Sequence, residues 1–188
     1  MKNRFMTMVV SGLLLGSISL FAVPYDVDVS HSSVGFKIKQ MMISTVSGNF
    51  SGFSGSYDLE NEVLKSLTAT IKTDTINTGI KKRDEHLRSA DFFDVLKFPV
   101  MTFTMNTQQG NKIIGDLSIH GITKKVELTL DMGGEITGPS GDKRSGFILT
   151  GSVNRKDYGL VWNQVMEMGG IVIGEDVKII VEVEGVRK

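Results

Sequence analysis

The chain has 188 residues, 21 basic and 21 acidic side chains, 40% hydrophobic residues and no cysteine. An even charge balance argues against nucleic acid or an anionic membrane surface as a main partner, since both reward a basic patch. The missing cysteines exclude disulfides and thiolate metal sites, so stability has to come from one packed core and its backbone hydrogen bonds.

In chain order, Met1-Lys2-Asn3-Arg4 carries two positive charges and precedes the uncharged run Phe5 to Leu20, the pattern of a secretory signal peptide. Thr7, Ser11, Gly12, Gly16, Ser17 and Ser19 dilute that run, which is shorter than the roughly 20 apolar residues a spanning helix needs. Cleavage is expected after Ala22, with Ser17-Ile18-Ser19 as an alternative small-x-small site. Residues 1–22 then form a leader and 23–188 a single domain in the periplasm or outside the cell. No Cys follows the run to take a lipid, so no stable membrane anchor is expected. Without Lys2 and Arg4 the chain keeps 19 basic residues against 21 acidic ones.

Beyond the leader, apolar and polar residues alternate with the period of strands that bury one face. The runs are Val34, Phe36, Ile38; Phe53, Tyr57, Leu59; Leu67, Ala69, Ile71; and Met101, Phe103, Met105. They continue at Ile113, Leu117, Ile119; at Val126, Leu128, Leu130, Met132; at Phe147, Leu149, Val153; and at Val177, Ile179, Val181, Val183. About eight strands follow. His120-Gly121 and Gly138-Pro139-Ser140-Gly141 read as hairpin turns, which makes sequential neighbours antiparallel. A shared interior for so many one-sided strands fits a closed barrel or two packed sheets.

The alternation breaks from Thr73 to Pro99. Gly79 to Ser89 suits a short helix with Ile80, Leu87 and Phe92 facing inward, and an irregular segment of this length is often functional. Asp157 to Gly170 is a second irregular stretch, holding Trp162, Asn163, Met166 and Met168. With Met41, Met42, Met101, Met105 and Met132, these adaptable side chains suit an irregular cavity as well as an ordinary core.

Chemistry has few footholds. His31, His86 and His120 lack metal-ligand spacing, so neither a metal nor a cofactor is expected. His120 reads as a solvated turn residue and His31 as a local hydrogen-bonding one. Asp84 and His86 are two apart on a helix and point in different directions, and no Gly-x-Ser-x-Gly nucleophile motif occurs. Arg83 and Arg88 are expected to pair with Asp84, Glu85 or Asp91. The expectation is a binding protein rather than an enzyme.

Tyr25-x-x-Asp28-x-x-His31-Ser32, Arg83-Asp84-x-His86-Leu87-Arg88-Ser89-Ala90-Asp91-Phe92, Phe98-Pro99, Gly115-Asp116-Leu117, Gly121-Ile122-Thr123-Lys124, Gly146-Phe147, Lys156-Asp157-Tyr158 and Val183-Glu184-Gly185-Val186 stand in one order along the mature chain. In that order and spacing they resemble the YceI-like periplasmic polyisoprenoid-binding proteins. The resemblance implies an all-β fold, an eight-stranded antiparallel lipocalin-like barrel with a short helical segment, often a homodimer. It also implies a long-chain isoprenoid or fatty amphiphile held inside. Alternation and resemblance together place the chain against Phe36, Phe53, Leu87, Phe92, Met101, Phe103, Leu117, Leu149 and Ile179, with Asp84, His86, Arg88, Trp162 and Asn163 near the mouth. The competing expectations are a filled barrel whose loops bind a protein, and a lipid-acting hydrolase using Asp84 and His86.

Overall fold

The computed structural model describes residues 22–165 and 172–188. All but the last residue of the expected leader, and Met166 and Met168, lie outside the described residues. The strands are β1 (Val23–Val27), β2 (Ser33–Gln40), β3 (Ser44–Phe50), β4 (Phe53–Glu60), β5 (Val63–Lys72), β6 (Ile76–Asn77), β7 (Val100–Gln109), β8 (Lys112–Ile119), β9 (Ile122–Thr137), β10 (Lys143–Asn154) and β11 (Ile173–Arg187). A single α-helix among the described residues, α1 (Lys81–Arg88), follows β6.

Eight strands close into an antiparallel ring in the order β1-β4-β5-β7-β8-β9-β10-β11, with β11 returning to β1. They are not quite the eight read from alternation, because β1 completes the ring and β2 stands outside it. The cause is β11, which forks. Its end, Gly185 to Arg187, pairs with β1, while Val177 to Glu182 pairs with β2. Beyond β2 the sheet continues to β3 and the two-residue β6. The barrel is therefore ringed by β1 at one end and widened by β2, β3 and β6 at the other.

The two ends are filled differently. At the β1 end Tyr25 stacks on Tyr57 with ring centroids 5.1 Å apart, and Phe147 meets Tyr57 edge-on at 5.0 Å. Leu59, Leu64 and Ile113 are fully buried around them. The Tyr57 hydroxyl meets the Ser145 hydroxyl at 2.5 Å and donates to the Ser145 carbonyl, so the polar tip of this aromatic plug is satisfied. A Cβ at Gly185 would sit 2.3 to 2.7 Å from the Tyr57 ring and hydroxyl, which is why β11 carries a glycine where that ring crosses it.

The β8–β9 turn is built as its sequence suggests. His120 and Gly121 both adopt positive φ, 52° and 75°, as a two-residue hairpin of this hand requires. His120 is not merely solvated, because it is half-buried and its ring lies 4.2 Å from that of Phe98. A Cβ at Gly121 would stand 2.7 Å from the same Phe98 ring. Gly121→Ala should therefore cost about 2 kcal/mol, combining left-handed backbone with a clash. Urea unfolding checks it: the midpoint falls at unchanged slope, and an unshifted midpoint refutes the account.

Beside the fork, Asp28 accepts a hydrogen bond from the Ser30 amide, lies 2.9 Å from His31 Nδ1, and accepts from Arg144, which also donates to Glu184 and Asp142. His31 is thus the local hydrogen-bonding residue expected. Asp28, His31 and Glu184 bring ligand atoms within 4.8 Å of one another, and the Arg144 guanidinium already supplies their positive partner. The hydrogen bond with His31 first, and then Arg144, holds the Asp28 carboxyl down at about 2 from an ordinary 3.8. Because the folded value is the lower one, this stabilisation is complete above the unfolded value and is lost as pH falls toward about 2. Asp28→Asn should lower stability at neutral pH and flatten its decline over that acid window, as read by circular dichroism. A decline as steep as that of the parent protein would show that Asp28 does not contribute.

Candidate functional site

At the widened end the barrel is hollow. The cavity measures about 720 Å³, within the range of about 300–1,000 Å³ usual for small-molecule sites. All nine apolar residues expected there line it: Phe36 on β2, Phe53 on β4, Met101 and Phe103 on β7, Leu117 on β8, Leu149 on β10, Ile179 on β11, Leu87 on α1 and Phe92 just after it. They converge because alternate residues of each strand point inward around one ring. The same faces add Leu67, Ala69 and Ile71 on β5 and Val177, Val181 and Val183 on β11. Val46 and Phe50 of β3 also line the cavity, and alternation does not reveal them because β3 is too rich in Ser, Gly and Asn to read as a strand.

The mouth is aromatic. His86 lies edge-on to Phe92 at 5.0 Å and to Trp162 at 4.8 Å, and its Nε2 is 2.9 Å from Asp91 Oδ2. Of the five polar residues expected at the mouth, His86 and Trp162 line the cavity. Asp84, Arg88 and Asn163 do not, and each is engaged in holding backbone. The Thr78 amide and hydroxyl donate to buried Asp84. Arg88 donates to the carbonyls of Asp74 and Ile76, both at 2.7 Å. Asn163 donates to the Ile173 carbonyl at 2.7 Å and accepts from its amide at 3.0 Å.

Arg83 likewise bonds Thr78 rather than a carboxylate. The expected arginine–carboxylate pairs give way to arginine–carbonyl bonds because α1 has to be tied to the irregular chain before it. His86 takes Asp91, not Asp84, as its partner, so the acid and base of the hydrolase expectation face different ways.

One buried residue beside the mouth carried no sequence signal. Arg155 looks like any surface arginine between Asn154 and Lys156, yet it is 4% exposed. It donates to the carbonyls of Gly174, Leu160 and Trp162, clasping the chain after β10 to the start of β11. Its Nη2 and the Tyr158 hydroxyl are buried without a hydrogen-bond partner among the described residues. Burial pushes the guanidinium below its ordinary value, partly offset by Glu175. The other charged residues on the lining are Lys39, Lys82, Arg83 and Glu182.

Comparison with known proteins agrees with this architecture. A UPF0312 protein of Staphylococcus aureus strain N315 is 39% identical over 157 residues, covering 82% of this chain and 92% of the relative. The crystal structure of a Campylobacter jejuni YceI protein is 35% identical with a TM-score of 0.70, covering 86% of this chain and 96% of that one. A polyisoprenoid binding domain from Saccharophagus degradans shares the fold at 17% identity, with a TM-score of 0.67 over 88% of this chain and 99% of that one. The model of the YceI-like domain matches residues 25–185, from the first strand of the ring to the last, and the chain belongs to that family.

Proposed function

We propose that this protein binds a long-chain amphiphile in the hollow end of its barrel and carries or stores it outside the cytoplasm. The ligand class is a polyisoprenoid, an isoprenoid quinone precursor, or a fatty acid or amide. The observation that carries this reading is a cavity of about 720 Å³ whose exposed wall surface is almost wholly apolar. Each methylene withdrawn from water contributes about 0.8 kcal/mol, so ten contribute about 8 kcal/mol. That is comparable to the cost of association, about 4–15 kcal/mol. A domain of the same fold is named for polyisoprenoid binding, and the lining here suits the same apolar chemistry.

In this reading residues 1–22 direct export and are removed, 23–188 act as a single domain in the periplasm or outside the cell, and two copies associate. The protein works without catalysis, metal or cofactor, because the aromatic mouth and apolar walls recognise a chain rather than a reacting bond. Loose selectivity follows, since methylenes offer no directional contact.

Organic extraction and mass spectrometry of protein purified from its export compartment tests the reading, with a leaderless cytoplasmic preparation as control. A stoichiometric long-chain species is the expected result. An empty extract, together with no uptake of added polyprenols or fatty amphiphiles, would overturn it in favour of a protein-binding module.

A further inference from the structure

The cavity mouth has an apolar rim that the walls do not require. Met42, Ile43 and Val165 are 74%, 85% and 81% exposed, and none of the three lines the cavity. They lie at the same end. The Met41 amide, at the β2–β3 tip, donates to the Val172 carbonyl, and the Val172 amide donates to the Gln164 carbonyl. Ile173 pairs with Gln40. From there Trp162 reaches His86 of α1, and exposed Ile80 begins that helix.

The tip is also chemically odd. Met41 and Met42 both sit in left-handed backbone, at φ 48° and 60°, a turn that Asn-Gly would form with less strain. Folding alone does not ask for Met there, and a local rule broken without structural gain points to function.

Charge at this end differs from the balance of the whole chain. Lys39 and Lys82 are exposed at the edge of the cavity, and Lys37 and Lys81 are exposed beside them. Of the nearby acids, Glu85 and Asp91 lie against Lys81 and His86, and Glu175 against Lys156, so exposed Asp176 stands against four exposed lysines.

We propose that this rim is a docking surface for an anionic lipid bilayer: Met42, Ile43 and Val165 enter the headgroup region while the lysines meet lipid phosphates. The purpose rests on the carrier reading. A ligand passing through water would slow by about fourfold for every methylene exposed, a penalty that docking removes. The contact is reversible, because a few apolar side chains and lysines fall far short of a spanning segment.

Flotation of the exported protein with vesicles tests this directly. Vesicles of equal parts phosphatidylcholine and phosphatidylglycerol should carry the protein upward. Pure phosphatidylcholine should carry less, and high salt should release protein from the anionic vesicles. The combined variant Met42→Asn, Ile43→Ser, Val165→Ser should lose about tenfold or more in partitioning, while taking up detergent-delivered polyprenol as the parent does.

Docking is overturned if the parent protein ignores both vesicles, or if the variant floats as well as the parent. It is also overturned if the parent is a dimer that the variant splits, which would assign the rim to a second copy. Failure of the carrier reading looks different: no polyprenol uptake by the parent protein, whatever the vesicles show.

Discussion

Replacing Ala69 with Trp is expected to abolish uptake of a long-chain amphiphile while leaving the barrel folded. Ala69 lies on β5 between Leu67 and Ile71, opposite Gly55 of β4 and Phe103 of β7, and lines the cavity. A small residue there keeps open space that an indole would occupy. If the indole displaces about five methylenes of bound chain, the loss is about 4 kcal/mol, or roughly a thousandfold in affinity. The added ring fills a void instead of crowding a packed core, so the melting temperature should hold or rise. Calorimetric titration with a polyprenol, alongside a thermal melt, separates the outcomes. Parent-like binding by a well-folded variant would show that the chain does not lie against β5.

Arg155→Met should damage the mouth rather than the walls. The guanidinium joins three carbonyls that no other described side chain reaches, and deleting it leaves Leu160, Trp162 and Gly174 short of donors. An unsatisfied buried group costs about 1–3 kcal/mol. With some relief from entering water, the total should be about 3–5 kcal/mol. For a chain of this size that corresponds to about 10 °C in melting temperature. Trp162 is the only tryptophan, so its emission should shift to longer wavelength as the loop loosens. Arg155→Lys should recover little, because an ammonium cannot span three carbonyls as a planar guanidinium does. A parent-like melt and parent-like emission would refute the clasp.

Sequence pattern reached the walls of the site more fully than its mouth. A strand that buries one face writes its inward residues at every second position, so Phe36, Met101, Phe103, Leu117, Leu149 and Ile179 are legible without any partner being known. The strands that escaped are those whose role is set by their neighbours. β1 carries Pro24 and buries only Tyr25, and β6 has two residues. Polar side chains at the mouth are harder still. Asp84, Arg88 and Asn163 resemble ligand contacts in a linear sequence, but the nearest unpaired backbone groups claim them first. Arg155 is buried only because β10 and β11 run side by side there and Leu160 to Trp162 fold back over it. No local composition encodes that.

The plug formed by Tyr25, Tyr57 and Phe147 turns the barrel into a blind bore. In the carrier reading, a guest that enters tail first stops where those rings begin, so the bore would measure chain length. Chains shorter than the bore should bind more tightly with each added carbon. Longer ones should gain nothing further, because the excess trails out past Trp162. On the same reading the head group stays at the entrance whatever the tail, where it can leave without the guest having to turn around.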